Sequence, residues 1–224
     1  MITKRCLSAG VCAFLMATFG GVLSAEPVAY VDQVAFTAAL PGMSRILDFD
    51  RIPAGTTIAD AATAEGITFS YDFDGLAMKV AHLYATTSAP NFLGTGDGGM
   101  FHDGDNFMLK FAPGSAVGLF FISADPLIDG DITVIANGVT ATLVADQVQE
   151  TLPDGSRVYF LGVVDAETPF SEARVEALAG GFFLYNVDDI ITAPVANLPS
   201  VARNNQGVTR AVLPGAIANE AAAF

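Results

Sequence analysis

Residues 116–145 read AVGLFFISADPLIDGDITVIANGVTATLVA, and this stretch decides the fold. Its first nine residues, Ala116–Ala124, are apolar almost throughout. Nine residues are too few to cross a bilayer, so the run reads as a strand buried in the middle of a sheet. Asp129-Gly130 and Asn137-Gly138 then punctuate the chain with residues that tolerate the positive φ of tight hairpins. DITVIAN and VTATLVA, on either side of Asn137-Gly138, alternate weakly and read as a hairpin on a partly exposed face.

The same grammar extends outward. RILDFD, GITFSYDF, NFMLKFA, RVYFLGVVD, ARVEAL and GFFLYNVDDIITA are short runs rich in Val, Ile, Phe, Thr and Tyr, and Asp154-Gly155 adds another hairpin signal. Strands and turns at this spacing predict an all-β fold, an antiparallel jelly-roll-like β-sandwich spanning residues 26–193. One short N-terminal helix precedes it in YVDQVAFTAALPG: Asp32 is placed to cap, Phe36 and Leu40 share a face, and Pro41-Gly42 ends the helix. Residues 194–224 lose the strand pattern and read as a C-terminal extension, extended or partly disordered.

The first 25 residues have the layout of a secretory signal peptide: Lys4 and Arg5, an apolar core, and small residues ending at Ala25. Both cysteines, Cys6 and Cys12, fall inside it, so the mature chain must be stabilised by its core or by metal ions. Cleavage removes two positive charges and takes the formal net charge from −14 to −16. Such a surface repels nucleic acid and anionic lipid, and no later apolar run is long enough to span a membrane. Secretion or residence in a bacterial periplasm is the expected localisation.

The segments AFTAALPG, ILDFDRIPAGTTI, GITFS, APNFLGTGDG and FFLYNVDDIITA, in this order, resemble the globular part of secreted bacterial β-sandwich proteins, many of which carry a PEP-CTERM sorting tail. Their sandwich is similar to jelly-roll carbohydrate-binding modules. No Pro-Glu-Pro motif with a following apolar helix stands here, so free release is expected over membrane sorting. The resemblance implies a structural calcium ion shared by carboxylates of the first and last strands. The matching positions are Asp48 and Asp50 in LDFD, and Asp188 and Asp189 in NVDDI. Calcium takes six to eight oxygens, which two neighbouring strand ends and loop carbonyls can supply. In a regular strand Asp48 and Asp50 share a face, whereas Asp188 and Asp189 point apart, so at most one of the latter pair is a direct ligand.

The glycine-rich stretch GTGDGGMFHDGDN, Gly94–Asn106, contributes Asp97, Asp103 and Asp105. Twelve positions counted from Asp103 end on Gly114 where an EF-hand needs Glu, so the stretch reads first as a loop and second as a calcium or ligand loop. No nucleophile elbow, phosphate loop or dinucleotide fingerprint is present, and His82 and His102 are isolated; the chain reads as no enzyme. Extracellular or envelope glycan is the expected partner. Tryptophan is absent, and Tyr84, in a polar context, is the best stacking platform, with Asn91 as a hydrogen-bonding group. Two alternatives remain: a structural or matrix envelope protein without a small ligand, and, less favoured, a carbohydrate-active hydrolase.

Overall fold

The computed structural model describes residues 26–195, together with the backbone of two short strands at 201–203 and 209–211. The signal-peptide reading of residues 1–25, and nearly all of the extension, lie outside the described residues.

Strand β1 (Val28–Tyr30) leads into helix α1 (Gln33–Ala39). Then follow β2 (Arg45–Leu47), β3 (Thr57–Ile58), β4 (Thr63–Ala64), β5 (Ile67–Tyr71), β6 (Met78–Ala81), β7 (Phe92–Thr95) and β8 (Phe101–His102). The long β9 (Phe107–Ser123) precedes β10 (Ile132–Ala136), β11 (Val139–Thr142), β12 (Glu150–Thr151), β13 (Arg157–Val164), β14 (Phe170–Ala177) and β15 (Leu184–Pro194).

Strand β9 organises the molecule because it belongs to both layers. Its first half pairs antiparallel with β5 and β14, and its second half, from Ala116, with β13 and β15. The change of partners falls at Pro113-Gly114, where proline withholds a ladder donor and a Cβ on Gly114 would stand 2.4 Å from the Ala193 carbonyl oxygen. One layer therefore runs β4-β5-β9-β14-β10-β11. The other runs β13-β9-β15-β7-β6-β3, with β1 and β12 along β13 and with β2 and β8 along β15. This is the antiparallel β-sandwich that the strand grammar predicts.

Alternation along the central strands fills two spaces. Val117, Leu119 and Phe121 of β9 and Tyr159, Leu161 and Val163 of β13 meet Phe69, Leu109, Val134 and Val175 of the facing layer in the main core. On the outer side, Phe160 and Val164 pack with Phe36 of α1, while Ile122 and Val158 pack with Leu152. The apolar runs are thus covered on both faces, which is why they show no polar alternation. Helix α1 begins as expected, the Asp32 carboxylate accepting from the Ala35 N–H at 2.6 Å.

The Asn137-Gly138 turn joins β10 to β11 with φ of 46° and 77°, the geometry of a two-residue hairpin. Asp129-Gly130 is different. It makes a turn but no hairpin, because β10 pairs with β11 and β14 and not with β9. The Asp-Gly pair here carries the chain from one layer to the other.

Candidate functional site

Strands β6 and β7 pair from Met78↔Thr95 to Ala81↔Phe92. Met78, Val80 and Leu93 enter the core, so alternation leaves Lys79, Ala81, Phe92 and Gly94 on the outer face of their layer. The glycine-rich stretch folds back over that face. A Cβ on Gly94 would lie 1.8 Å from the Gly99 carbonyl oxygen, and a Cβ on Gly99 would lie 3.1 Å from that of Ala81. Only bare backbone allows this approach. The loop is tied by Gly99 N–H to the Thr95 carbonyl at 3.1 Å and by Gly96 N–H to the Ala77 carbonyl at 2.9 Å. The Thr95 hydroxyl lies 2.6 Å from Asp97 Oδ1 and also against the Met100 carbonyl. GTGDGG is a loop, then, but a closely folded one.

Beside it opens a shallow cleft of about 190 Å³, lined chiefly by Lys79, His82, Leu83, Thr95, Gly98 and Gly99. Tyr84 follows on the same segment, 41% exposed, with its ring stacked on that of buried Phe92 (centroids 6.1 Å apart, planes 29° apart). Another cleft of about 180 Å³, between Arg45, Glu65, Pro113 and Pro194 at the corner of β9, lacks an exposed aromatic ring.

The other residues singled out in this stretch separate. Asp97 stays near the cleft, its second oxygen 3.5 Å from His102 Nε2. Asp103 accepts from the Gly180 N–H at 2.6 Å and Asp105 from the His102 N–H at 2.7 Å, which ties the far half of the stretch into turns and to the β14–β15 connection. Burial raises the Asp105 carboxyl above its ordinary value. Asn91 is 5% exposed, and its amide donates to the Phe49 and Ile52 carbonyls at 3.2 and 3.0 Å. It braces the chain after β2 and has no donor left for a ligand.

The four aspartates expected to hold calcium occupy neighbouring ground, but not in the expected geometry. Asp188 lies opposite Phe120 and Ile191 opposite Gly118, so β15 carries an extra residue, and Asp189 has a φ of 46°. This bulge overturns the expectation that the two carboxylates point apart: the Ser88 hydroxyl lies 3.1 Å from Asp188 Oδ2 and 2.9 Å from Asp189 Oδ1. Asp188 is fully buried and receives the hydroxyls of Thr86 and Thr87 and the Ser88 N–H on the same oxygen. Burial, and then the charge of Asp189, push its carboxyl up to about 7. Asp189 is raised too, by burial first and by the charges of Asp48 and Asp50 among the smaller causes. Those two lie beyond the end of β2, in a turn where Phe49 has a φ of 59°, and Asp50 accepts from the Asn91 N–H at 3.0 Å.

The donor set suits a hard cation, since it consists of carboxylate and hydroxyl oxygens. A closed cage is not preassembled. Among the described residues no three His, Cys, Asp or Glu side chains are grouped to hold an ion, so calcium would have to draw Asp48 and Asp50 toward Asp189.

One segment links both features. Residues 82–90 present His82 and Leu83 to the cleft, Tyr84 to the surface next to them in the chain, and Thr86, Thr87 and Ser88 to the buried carboxylates. Asp154 adds a further hold, accepting from the Ala85 N–H at 3.2 Å. Sequence reading missed the hydroxyl run and the pairing of Lys79 with the cleft; the only trace was three small hydroxyl residues in succession, Thr86–Ser88.

Among the described residues no helix is long and apolar enough to cross a membrane. No protein-family profile matches the chain. No curated protein matches it either. Solved structures that are similar include the K2 cleaved adhesin domain of Lys-gingipain, at 10% identity and a TM-score of 0.42, covering 67% of this chain and 97% of that one. A family 35 carbohydrate binding module from Clostridium thermocellum aligns at 13% identity and a TM-score of 0.37, over 69% of this chain and 100% of the module. The CBM22-1 xylan-binding domain from Paenibacillus barcinonensis Xyn10C aligns at 20% identity and a TM-score of 0.33, over 64% and 98% of the two chains.

Proposed function

We propose that this chain is an exported, non-catalytic module that binds extracellular or envelope glycans, and that calcium stabilises it. The observation that carries glycan binding is the exposed Tyr84 ring, which follows the cleft-lining His82 and Leu83 in the chain and is stacked on buried Phe92. A ring held flat in advance offers its face to the C–H side of a sugar at little cost in side-chain entropy. The imidazole and ammonium groups of His82 and Lys79, which line the cleft, supply hydrogen bonds. A binding reading is favoured over a hydrolase because the raised carboxyls, Asp188 and Asp189, lie beneath Thr86–Ser88 and do not line the cleft. Export rests on the leader-like residues 1–25.

Binding of the 26–224 chain to a panel of bacterial and plant polysaccharides tests the first part. Tyr84→Ala is expected to weaken the best ligand at least tenfold, about 1.4 kcal/mol. The same variant should change stability by no more than about 1 kcal/mol, since the ring is largely at the surface. A panel with no ligand, or a variant that binds as well as the wild type, would sink the proposal.

Calcium is tested by thermal unfolding at pH 8 in EDTA and in excess calcium, with magnesium as control. An ion bound only by the folded state, at about a hundred times its Kd, adds roughly 2.7 kcal/mol and raises the melting temperature by several degrees. Asp189→Asn should abolish the gain. An identical melting temperature in EDTA and calcium rules the ion out.

A further inference from the structure

We infer that the cleft beside Tyr84 is built for a glycan that carries anionic groups, carboxylate or sulfate; this rests on the glycan-binding reading of the same cleft. The inference comes from which charges line it. Acidic residues outnumber Lys and Arg by 24 to 10 in this chain, yet the cleft lining contains Lys79 and His82 and neither Asp nor Glu. Composition alone would give the opposite.

Geometry explains how the cation is held. Strand alternation sets Lys79 on the outer face, directly opposite Gly94, over which the Gly99 carbonyl is folded, so that strand and loop backbone meet beside the lysine. Lys79 is half-buried and lines the cleft. Among the described residues the side-chain ion pairs are His102 with Asp97 and Arg174 with Glu176, and Lys79 belongs to neither. The nearest acid along the loop, Asp97, is already engaged by the Thr95 hydroxyl and by His102. An ammonium that is in no ion pair among the described residues and shares a cleft with an imidazole matches an anionic group on a ligand.

The net negative charge of the whole chain opposes such a ligand only at a distance. At physiological ionic strength, charges more than about 8 Å apart are largely screened, whereas a contact pair at Lys79 is not. Binding should therefore weaken with added salt, but it should survive at 0.15 M.

The test compares polygalacturonate with its carboxyl-reduced, neutral counterpart, and dextran sulfate with dextran, on the mature chain in 0.15 M NaCl. At least one anionic polymer is expected to bind tenfold or more tightly than its neutral partner, and which of the two does so identifies the anion. In Lys79→Gln that preference should fall below threefold with the melting temperature unchanged, while Tyr84→Ala weakens charged and neutral forms alike. Equal binding within both pairs overturns the charge preference and leaves the cleft a glycan site. A preference that persists in Lys79→Gln overturns the assignment to this cleft. If all four polymers fail while the wider panel yields a ligand lost in Tyr84→Ala, the charge preference alone is overturned; if the panel fails too, both readings are.

Discussion

Replacing Phe36 with alanine is expected to lower the melting temperature of the 26–224 chain by about 10 °C. The change removes a fully buried aromatic side chain, a loss of about 3–5 kcal/mol, and in a domain of this size each kcal/mol moves the midpoint by about 2–4 °C. The site makes a high value reasonable. Phe36 is the only buried residue of α1, and a helix of 7 residues has no stability of its own. Its ring stands 4.9 Å from that of Phe160 and edge-on to Tyr30 at 5.9 Å. It rests over Gly118 and Gly162, which face each other across β9 and β13. A Cβ on Gly162 would come within 2.7 Å of the Phe36 ring. Gly162→Ala alone should therefore destabilise by about 1–3 kcal/mol, although it adds apolar surface. In the Phe36→Ala background the same methyl enters vacated space, and its cost should shrink or change sign. Strictly additive losses in the double mutant, measured by chemical unfolding, would show that the glycine pair does not form the slot for the ring.

Those glycines show what the sequence makes legible and what it hides. The apolar run Ala116–Ala124 reads correctly as a buried central strand because burial on both faces erases alternation. Which element covers the outer face was not readable, since α1 lies more than a hundred residues from β13 and reaches it only through tertiary packing. The signal was present in Gly118 and Gly162, glycines inside apolar runs with no turn to make, which mark a close approach. The Asp188-Asp189 bulge had no such mark. Asp tolerates the positive φ found at Asp189, but in a chain with 24 acidic residues one aspartate inside a strand run does not announce it. Tyr84 was legible because its polar neighbours argue against burial, whereas Asn91 looked equally polar and is a buried strut. Lys79 was not legible at all. Its place in the cleft depends on the β6–β7 register and on a loop that can fold over β7 only because residues 94 and 99 are both glycine.

In EDTA, the 26–224 chain is expected to be most stable in mildly acid solution and to lose stability as the pH rises toward 7. Asp188 sets the sign. Its carboxyl moves from an ordinary 3.8 to about 7 because the group is buried and shares Ser88 with the charged Asp189. Between those two values the native state holds a proton that the unfolded chain has released, so stability falls with rising pH across that window and is level above it. The full contribution of one such group is up to about 4 kcal/mol. Asp189 and Asp105, both raised, act in the same direction; Asp154, held low by the Ser156 N–H, acts in the opposite one. Asp188→Asn keeps an acceptor for the Thr86, Thr87 and Ser88 donors and removes the titration. Its melting temperature should vary less between pH 5 and 8 and should exceed that of the wild type at pH 8. Parallel curves for the two proteins would mean that Asp188 is not the group responsible. Calcium then separates two ways of holding the tether of residues 82–90. If the ion flattens the wild-type curve above pH 6, it is compensating the ionised pair and the bulge is a cation site in use. If the slope is the same with and without calcium, the hydroxyls of Thr86, Thr87 and Ser88 carry the ionised pair alone, and the segment that presents Tyr84 is anchored by hydrogen bonds.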